Sequence, residues 1–199
     1  MKIDGGIGVD SGFDGISEKS REQEEIGYDG LWVPETNHDP FTMLPLMAQA
    51  TEKVELGTSI VVGFARNPMD LAYSANDIQL MSKGRFTLGL GSQIKAHITR
   101  RFSMEWSKPA ARMREMILAT KAIWNSWNTG EKLDFRGDFY QHTLMTPFFH
   151  PGENPYGAPR MALAGVGPLM TEVAGETCDV FLAHGFTTEK YLREETLPA

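Results

Sequence analysis

Asn67-Pro68-Met69-Asp70, a run onward to Gly84, and then Arg85-Phe86-Thr87-Leu88-Gly89-Leu90-Gly91 read as one complete helix followed by one complete strand. Asn67 carries an N-capping side chain, and Pro68 suits the first helical position, where its missing N–H has no partner in any case. Asp70 sets a carboxylate beside the positive end of the helix. Leu71, Ala75 and Ile78 recur at helical spacing and mark the buried face, and Gly84 supplies the stop.

Outward from this unit the same alternation repeats. A first strand is expected from Lys2 to Val9, then a weak helix whose polar body, Ser17 to Glu25, rests on Phe13, Ile16 and Ile26 and stops at Gly27. The second strand is Gly30 to Glu35. A second helix covers Phe41 to Lys53, where Pro45 is tolerable only in the first turn. The third strand is Val54 to Val62. After Gly91, the polar segment Ser92 to Trp106 is too long for a simple turn and reads as an excursion near a site. Ser107 then caps a helix with Met113, Ile117, Thr120 and Trp124 on one stripe and Gly130 as its end. Phe135 to His142 reads as a small hairpin about Gly137, and Met145 to Pro159, with four prolines, as a long ordered loop or lid. Strands five and six are Arg160 to Ala164 and Asp179 to His184, with a last helix from Thr187.

Six strand-and-helix units in this order give an α/β fold, a parallel sheet covered by helices. A closed TIM-type (β/α)8 barrel needs ~250 residues. The expectation is therefore one incomplete barrel domain over residues 1–199, truncated at its C-terminus.

With 199 residues, 41% of them hydrophobic, the chain can bury a core. Its net charge of −7 and the absence of any basic run exclude the usual footprint of a nucleic-acid or anionic-membrane partner and make a small neutral or cationic molecule easier to accommodate. Cys178 stands alone, without a disulfide partner, which suits a reducing cytoplasm. The start lacks the apolar region of a signal peptide, and no apolar run approaches the ~20 residues that span a bilayer.

Two glycine-rich turns follow strands, Gly89-Leu90-Gly91-Ser92-Gln93-Ile94 and Gly165-Val166-Gly167-Pro168. Both lack the third glycine of a dinucleotide fingerprint, Ile94 and Met170 standing in its place. Each is read equally well as a tight turn or as backbone N–H groups offered to a phosphate. The five histidines have neither i, i+4 spacing nor an adjacent Glu, so no metal site is expected. No nucleophile elbow or P-loop is present. What remains is polar residues at the carboxyl ends of parallel strands, the face on which barrels carry their sites. Glu35, followed by Thr36, Asn37, His38 and Asp39, is a candidate acid or base, the alternative being a carboxylate that caps the next helix. His38 is a second candidate, the alternative being a solvated loop side chain. His184 has the right position without an identified partner.

Taken in order, Val33-Pro34-Glu35, Gly57-Thr58-Ser59-Ile60, Arg66-Asn67-Pro68, Ser82-Lys83-Gly84-Arg85, Leu88-Gly89-Leu90-Gly91 and Ala164-Gly165-Val166-Gly167-Pro168 resemble the luciferase-like monooxygenase superfamily, and within it the deazaflavin-dependent oxidoreductases that use coenzyme F420. The resemblance implies a third strand that ends in a bulge with a non-prolyl cis bond, here Ser59–Ile60, supporting a tricyclic ring. It further implies Val62 and Glu35 beside that ring, Ser92, Gln93 and His97 at the coenzyme's tail, and Val166 and Gly167 at its phosphate. Two departures separate the chain from the superfamily's sugar-phosphate dehydrogenases. Glu35-Thr36 replaces their Asp-His, and Ile94 replaces their carboxylate. The activity implied is hydride transfer between F420 and a small organic substrate, with Glu35 or His38 managing the proton and the chain a homodimer. The alternatives are an FMN-dependent monooxygenase and a non-catalytic, truncated flavin-binding barrel piece.

Overall fold

The computed structural model describes residues 1–7 and 13–198. In chain order the elements are β1 (Asp4–Gly6), α1 (Ile16–Ile26), β2 (Gly30–Val33), α2 (Pro40–Ala50), β3 (Glu55–Thr58), β4 (Val61–Val62), α3 (Pro68–Met81), β5 (Phe86–Gly91), α4 (Pro109–Thr129), β6 (Phe135–Arg136), β7 (Gln141–His142), β8 (Arg160–Gly165), α5 (Pro168–Thr177), β9 (Val180–Ala183) and α6 (Glu189–Tyr191). The strands of the main sheet are all parallel and ordered β1-β2-β3-β5-β8-β9, with β4 paired to β5. The strands along this path follow one another in chain order, so the sheet is singly wound and curls into a half-barrel. Leu31, Leu56, Leu88 and Met161 from the sheet pack with Met43, Leu71, Ala75 and Met113 from the helices in one buried core. No described helix is long and apolar enough to cross a membrane.

The helix that anchored the sequence reading forms as expected, with Asn67 Oδ1 accepting from the N–H groups of Met69 (2.9 Å) and Asp70 (3.1 Å). Leu71, Ala75 and Ile78 are buried, Gly27 and Gly130 end their helices in the left-handed region, and β6 and β7 pair as a hairpin around Gly137. Gly8 and Val9, expected in the first strand, lie outside the described residues.

Several expectations are corrected. The third strand is two strands, because Ser59 and Ile60 leave the ladder between β3 and β4. Helix α1 buries Ile16 and Ser20, while Ile26 is exposed; the small Ser20, its hydroxyl turned back to the Ile16 carbonyl (2.7 Å), lets α1 lie against α2. Pro45 sits well past the first turn of α2, which starts at Pro40. It forfeits one helical hydrogen bond, offset by burial of Met43, Leu44, Met47 and Ala48 around it. The α4 cap position falls on Lys108, not Ser107, because Pro109 takes the first helical position. The proline-rich loop, residues 145–159, is not a lid. It feeds β8 at its amino end and is tied to the outer helices: Asn154 bonds Asn76 Oδ1 and Asn128 Oδ1, both at 2.9 Å, and Tyr73 donates to the Phe149 carbonyl.

Candidate functional site

A parallel sheet of this kind directs its strand ends and following turns to one side, and there lies a cleft of ≈ 860 Å³. Its walls come from the ends of four strands. After β3 the chain passes through a cis bond between Ser59 and Ile60, and both residues line the cleft. From β5 come Gly91, Ser92 and Gln93, the last at positive φ (58°). Gly165, Val166 and Gly167 contribute from β8, and Leu182, Ala183 and His184 from β9. Another cavity, ≈ 360 Å³ among Lys121, Trp124, Arg160 and Asp179, opens at the amino ends of β8 and β9, on the side where barrels carry stability and not chemistry.

Glycine is required where backbones crowd. A Cβ on Gly89 would lie 1.9 Å from the Thr58 carbonyl oxygen, and one on Gly91 would lie 2.8 Å from Ile60 Cγ1. These contacts let β5 come close enough for the Ile60 side chain to lie across it. Gly167 differs: it is the N-cap of α5 without a side-chain cap, and a Cβ there would meet nothing within 4 Å. Pro168 has no N–H and the Met170 N–H is bonded to the Gly167 carbonyl (3.1 Å), so the backbone donors left at this turn are the N–H groups of Gly167 and Leu169, a place suited to an anion.

Trp106, partly buried, closes one side. Its ring meets buried Phe64 edge-on at 5.7 Å, and Phe64 is backed by the Arg112 guanidinium at 4.7 Å. With Ile60, Met170 and Leu182 it gives the cleft an apolar wall. Although the chain carries a net −7, the described lining holds no Asp or Glu, and its ionisable groups are Lys95 and His184. Whole-chain charge is thus not the charge of the cleft, whose described lining carries no acid. His184 is exposed, and its Nδ1 accepts from the Phe186 N–H at 3.3 Å. That acceptor role leaves the proton on Nε2.

Of the residues singled out in the sequence, Ser59, Ile60, Ser92, Gln93, Val166 and Gly167 are brought together on the cleft wall. Val62, Glu35, His38 and His97 are not among its lining residues. Val62 is fully buried in the core. Glu35, with 8% of its side chain exposed, accepts at one oxygen from the Val62 N–H (2.9 Å) and from Arg66 (3.3 Å). His38 packs edge-on against Phe13 at 4.9 Å, and His97 is exposed at the start of an irregular helical turn, His97–Arg101. Trp106, Met170, Leu182 and Lys95 escaped the sequence reading. The only signal for Trp106 and Lys95 was their place at or inside the polar excursion from Ser92 to Trp106.

A singly wound parallel sheet whose strand ends and turns converge on one glycine-walled cleft defines a protein of the (β/α)8-barrel class. The chain belongs to the luciferase-like monooxygenase family, whose model matches residues 1–198, and members of that family are oxidoreductase enzymes. It is 51% identical over 176 residues to an uncharacterized protein of Mycobacterium tuberculosis, covering 88% of this chain and 52% of that protein. It is 29% identical over 198 residues to an F420-dependent glucose-6-phosphate dehydrogenase of Amycolatopsis mediterranei, covering 92% and 57%. Among solved structures, an F420-dependent secondary alcohol dehydrogenase in complex with an F420-acetone adduct superposes with a TM-score of 0.82 at 20% identity, over all of this chain and 62% of the other. The chain spans about half the length of the curated relatives it matches.

Proposed function

We propose that the chain forms the cofactor-holding part of an F420-dependent oxidoreductase that transfers hydride between the deazaflavin and a small organic substrate. The observation that carries this reading is the acid-free cleft at the strand ends, apolar along Ile60, Trp106, Met170 and Leu182 and open to backbone N–H groups at the start of α5. A flat aromatic ring system with an anionic tail fits that division, and ≈ 860 Å³ is the size of an ordinary ligand site. When bound, a deazaflavin supplies a ring carbon that gives or takes hydride. The named F420-dependent relatives support the choice of ring.

The chain's own residues do the rest. Ile60 and Trp106 exclude water and offer surface to the ring; Ser92 and Gln93 offer polar groups at the turn after β5; Val166 and the N–H groups of Gly167 and Leu169 take the phosphate. Hydride added to a carbonyl carbon must be matched by a proton at its oxygen, and the reverse on oxidation. We assign that proton to His184 Nε2. Glu35 is committed to Val62 and Arg66, and His38 packs on Phe13, whereas His184 stands on the cleft wall with Nδ1 engaged.

Titrating the protein with F420 and, separately, with FMN, following ring fluorescence, tests the reading. Saturable F420 binding that His184→Ala leaves intact, together with loss of F420-coupled oxidation of secondary alcohols, is expected. Binding of FMN alone would overturn it in favour of the family's FMN-dependent chemistry.

A further inference from the structure

We infer that Glu35 is a positioning residue which, with Arg66 and Asp39, holds the turn Ile60–Val62 in the shape that floors the cleft. Glu35 grips this turn at both ends. Its backbone N–H donates to the Ile60 carbonyl (3.0 Å), and its Oε2 accepts from the Val62 N–H (2.9 Å). The same oxygen meets Arg66 Nη2 at 3.3 Å, and that nitrogen reaches Asp39 Oδ2 at 2.8 Å. Asp39 in turn caps α2, its other oxygen accepting from the Phe41 N–H at 3.0 Å. Arg66 is joined to the turn from below, its N–H donating to the Gly63 carbonyl (2.9 Å), and its guanidinium lies over the Phe41 ring at 5.0 Å.

The bracket thus ties three pieces of backbone together: the end of β2, the start of α2 and the segment on either side of β4. Toward β2 the Ser59 N–H still donates to the Val33 carbonyl (3.0 Å), but toward β5 the ladder is interrupted between Gly57 and Val61, and past Ser59 it is Glu35 that supplies the donor for Ile60 and the acceptor for Val62. Electrostatics agree with a permanent ion pair. Burial alone would lower the Arg66 pKa, yet the carboxylates of Asp39 and Glu35 outweigh burial and raise it above the usual guanidinium range. A carboxylate held by a cation and a backbone N–H is poorly free to shuttle protons, which fits the absence of Glu35 from the cleft lining.

The link to cofactor binding rests on the proposed function; the bracket itself does not. Two readouts keep them separate: amide hydrogen exchange over residues 60–66 in the cofactor-free protein, and F420 affinity by fluorescence. Glu35→Ala is expected to speed exchange across that segment at least tenfold and to weaken F420 about tenfold, while Glu35→Gln, which keeps an acceptor oxygen for Val62, restores most of both. If Glu35→Ala fails to fold, Arg66→Gln carries the same two measurements with the same expected direction. Exchange and affinity both unchanged in whichever variant folds would overturn the inference. If the wild-type protein binds neither F420 nor FMN, the functional reading fails, and the exchange comparison alone decides the bracket.

Discussion

Thr58→Val probes the point where the sheet is interrupted. The β3–β5 ladder ends at the pair Gly57–Thr87, and the β4–β5 ladder begins at Val61–Leu90. Between them the Gly89 peptide groups would have no strand partner. The Thr58 hydroxyl replaces it, donating to the Gly89 carbonyl and accepting from the Gly89 N–H, both at 2.8 Å. Valine keeps the shape of threonine and removes both bonds. Thr58 and Gly89 are both buried, and the second methyl of valine would fill the place of the hydroxyl, so water is kept from taking over. Leaving a buried backbone donor and a buried acceptor unsatisfied costs about 1–3 kcal/mol each, so a loss of about 2–6 kcal/mol is expected. Thr58→Ser keeps the hydroxyl, gives up one methyl and should cost about 1 kcal/mol. Against a total stability of roughly 5–15 kcal/mol the valine variant is severely weakened, with a Tm about 4–24 °C lower. Urea unfolding of the three proteins, followed by circular dichroism, measures the difference at constant m. If Thr58→Val were as stable as Thr58→Ser within about 0.5 kcal/mol, the hydroxyl would not be closing the ladder.

Gly167→Ala should leave urea stability within about 0.5 kcal/mol of wild type, because its added methyl meets no neighbour, while F420 affinity falls as the methyl occupies the approach to α5; unchanged affinity in a titration would move the phosphate elsewhere. Glu24 gathers the N–H groups of Glu52 (3.0 Å), Lys53 (2.6 Å) and Val54 (2.8 Å); burial opposes its charge, but these bonds outweigh it and bring the pKa below 4.5. A depressed carboxylate pKa stabilises the fold above 4.5, and that contribution disappears as the pH drops through the folded value. Glu24→Gln should therefore flatten the acid limb of a stability–pH curve below 4.5, and an unaltered limb would remove Glu24 as its source. Burial pushes the Cys178 thiol up, outweighing its contact with Thr177, so iodoacetamide at neutral pH should modify it much more slowly than free cysteine; rapid labelling without unfolding would contradict its half-buried setting.

How much of this was legible in the sequence depended on whether a residue's role is local. The Asn67-Pro68 helix start, the Gly27 and Gly130 stops and the stripe Met113, Ile117, Thr120 and Trp124 follow from capping chemistry and periodicity within a few residues, and the structure reproduces them. Periodicity could not divide Val54 to Val62. Val54, Leu56, Val61 and Val62 are buried whether the strand is continuous or broken, and the break is set by Thr58 together with Gly89 and Glu35 from other elements. The expected bulge after Thr58 came from resemblance and not from the pattern. Glu35 drew attention as an acidic residue at a strand end, but its carboxylate turns to Val62 and Arg66, a choice made by contacts 27 and 31 residues away. Net charge carried no information on the cleft, because charge adds over the whole surface, whereas a ligand meets only the lining.

The central claim is that one cleft at the carboxyl ends of the strands receives a planar, anionic redox cofactor. Amide hydrogen exchange of the protein with and without saturating F420 tests it most directly. Protection should concentrate in residues 59–62, 91–95, 164–170 and 182–185, with the outer loop 145–159 unaffected. Protection confined to that loop, or to the cavity at the amino ends of β8 and β9, would contradict the account.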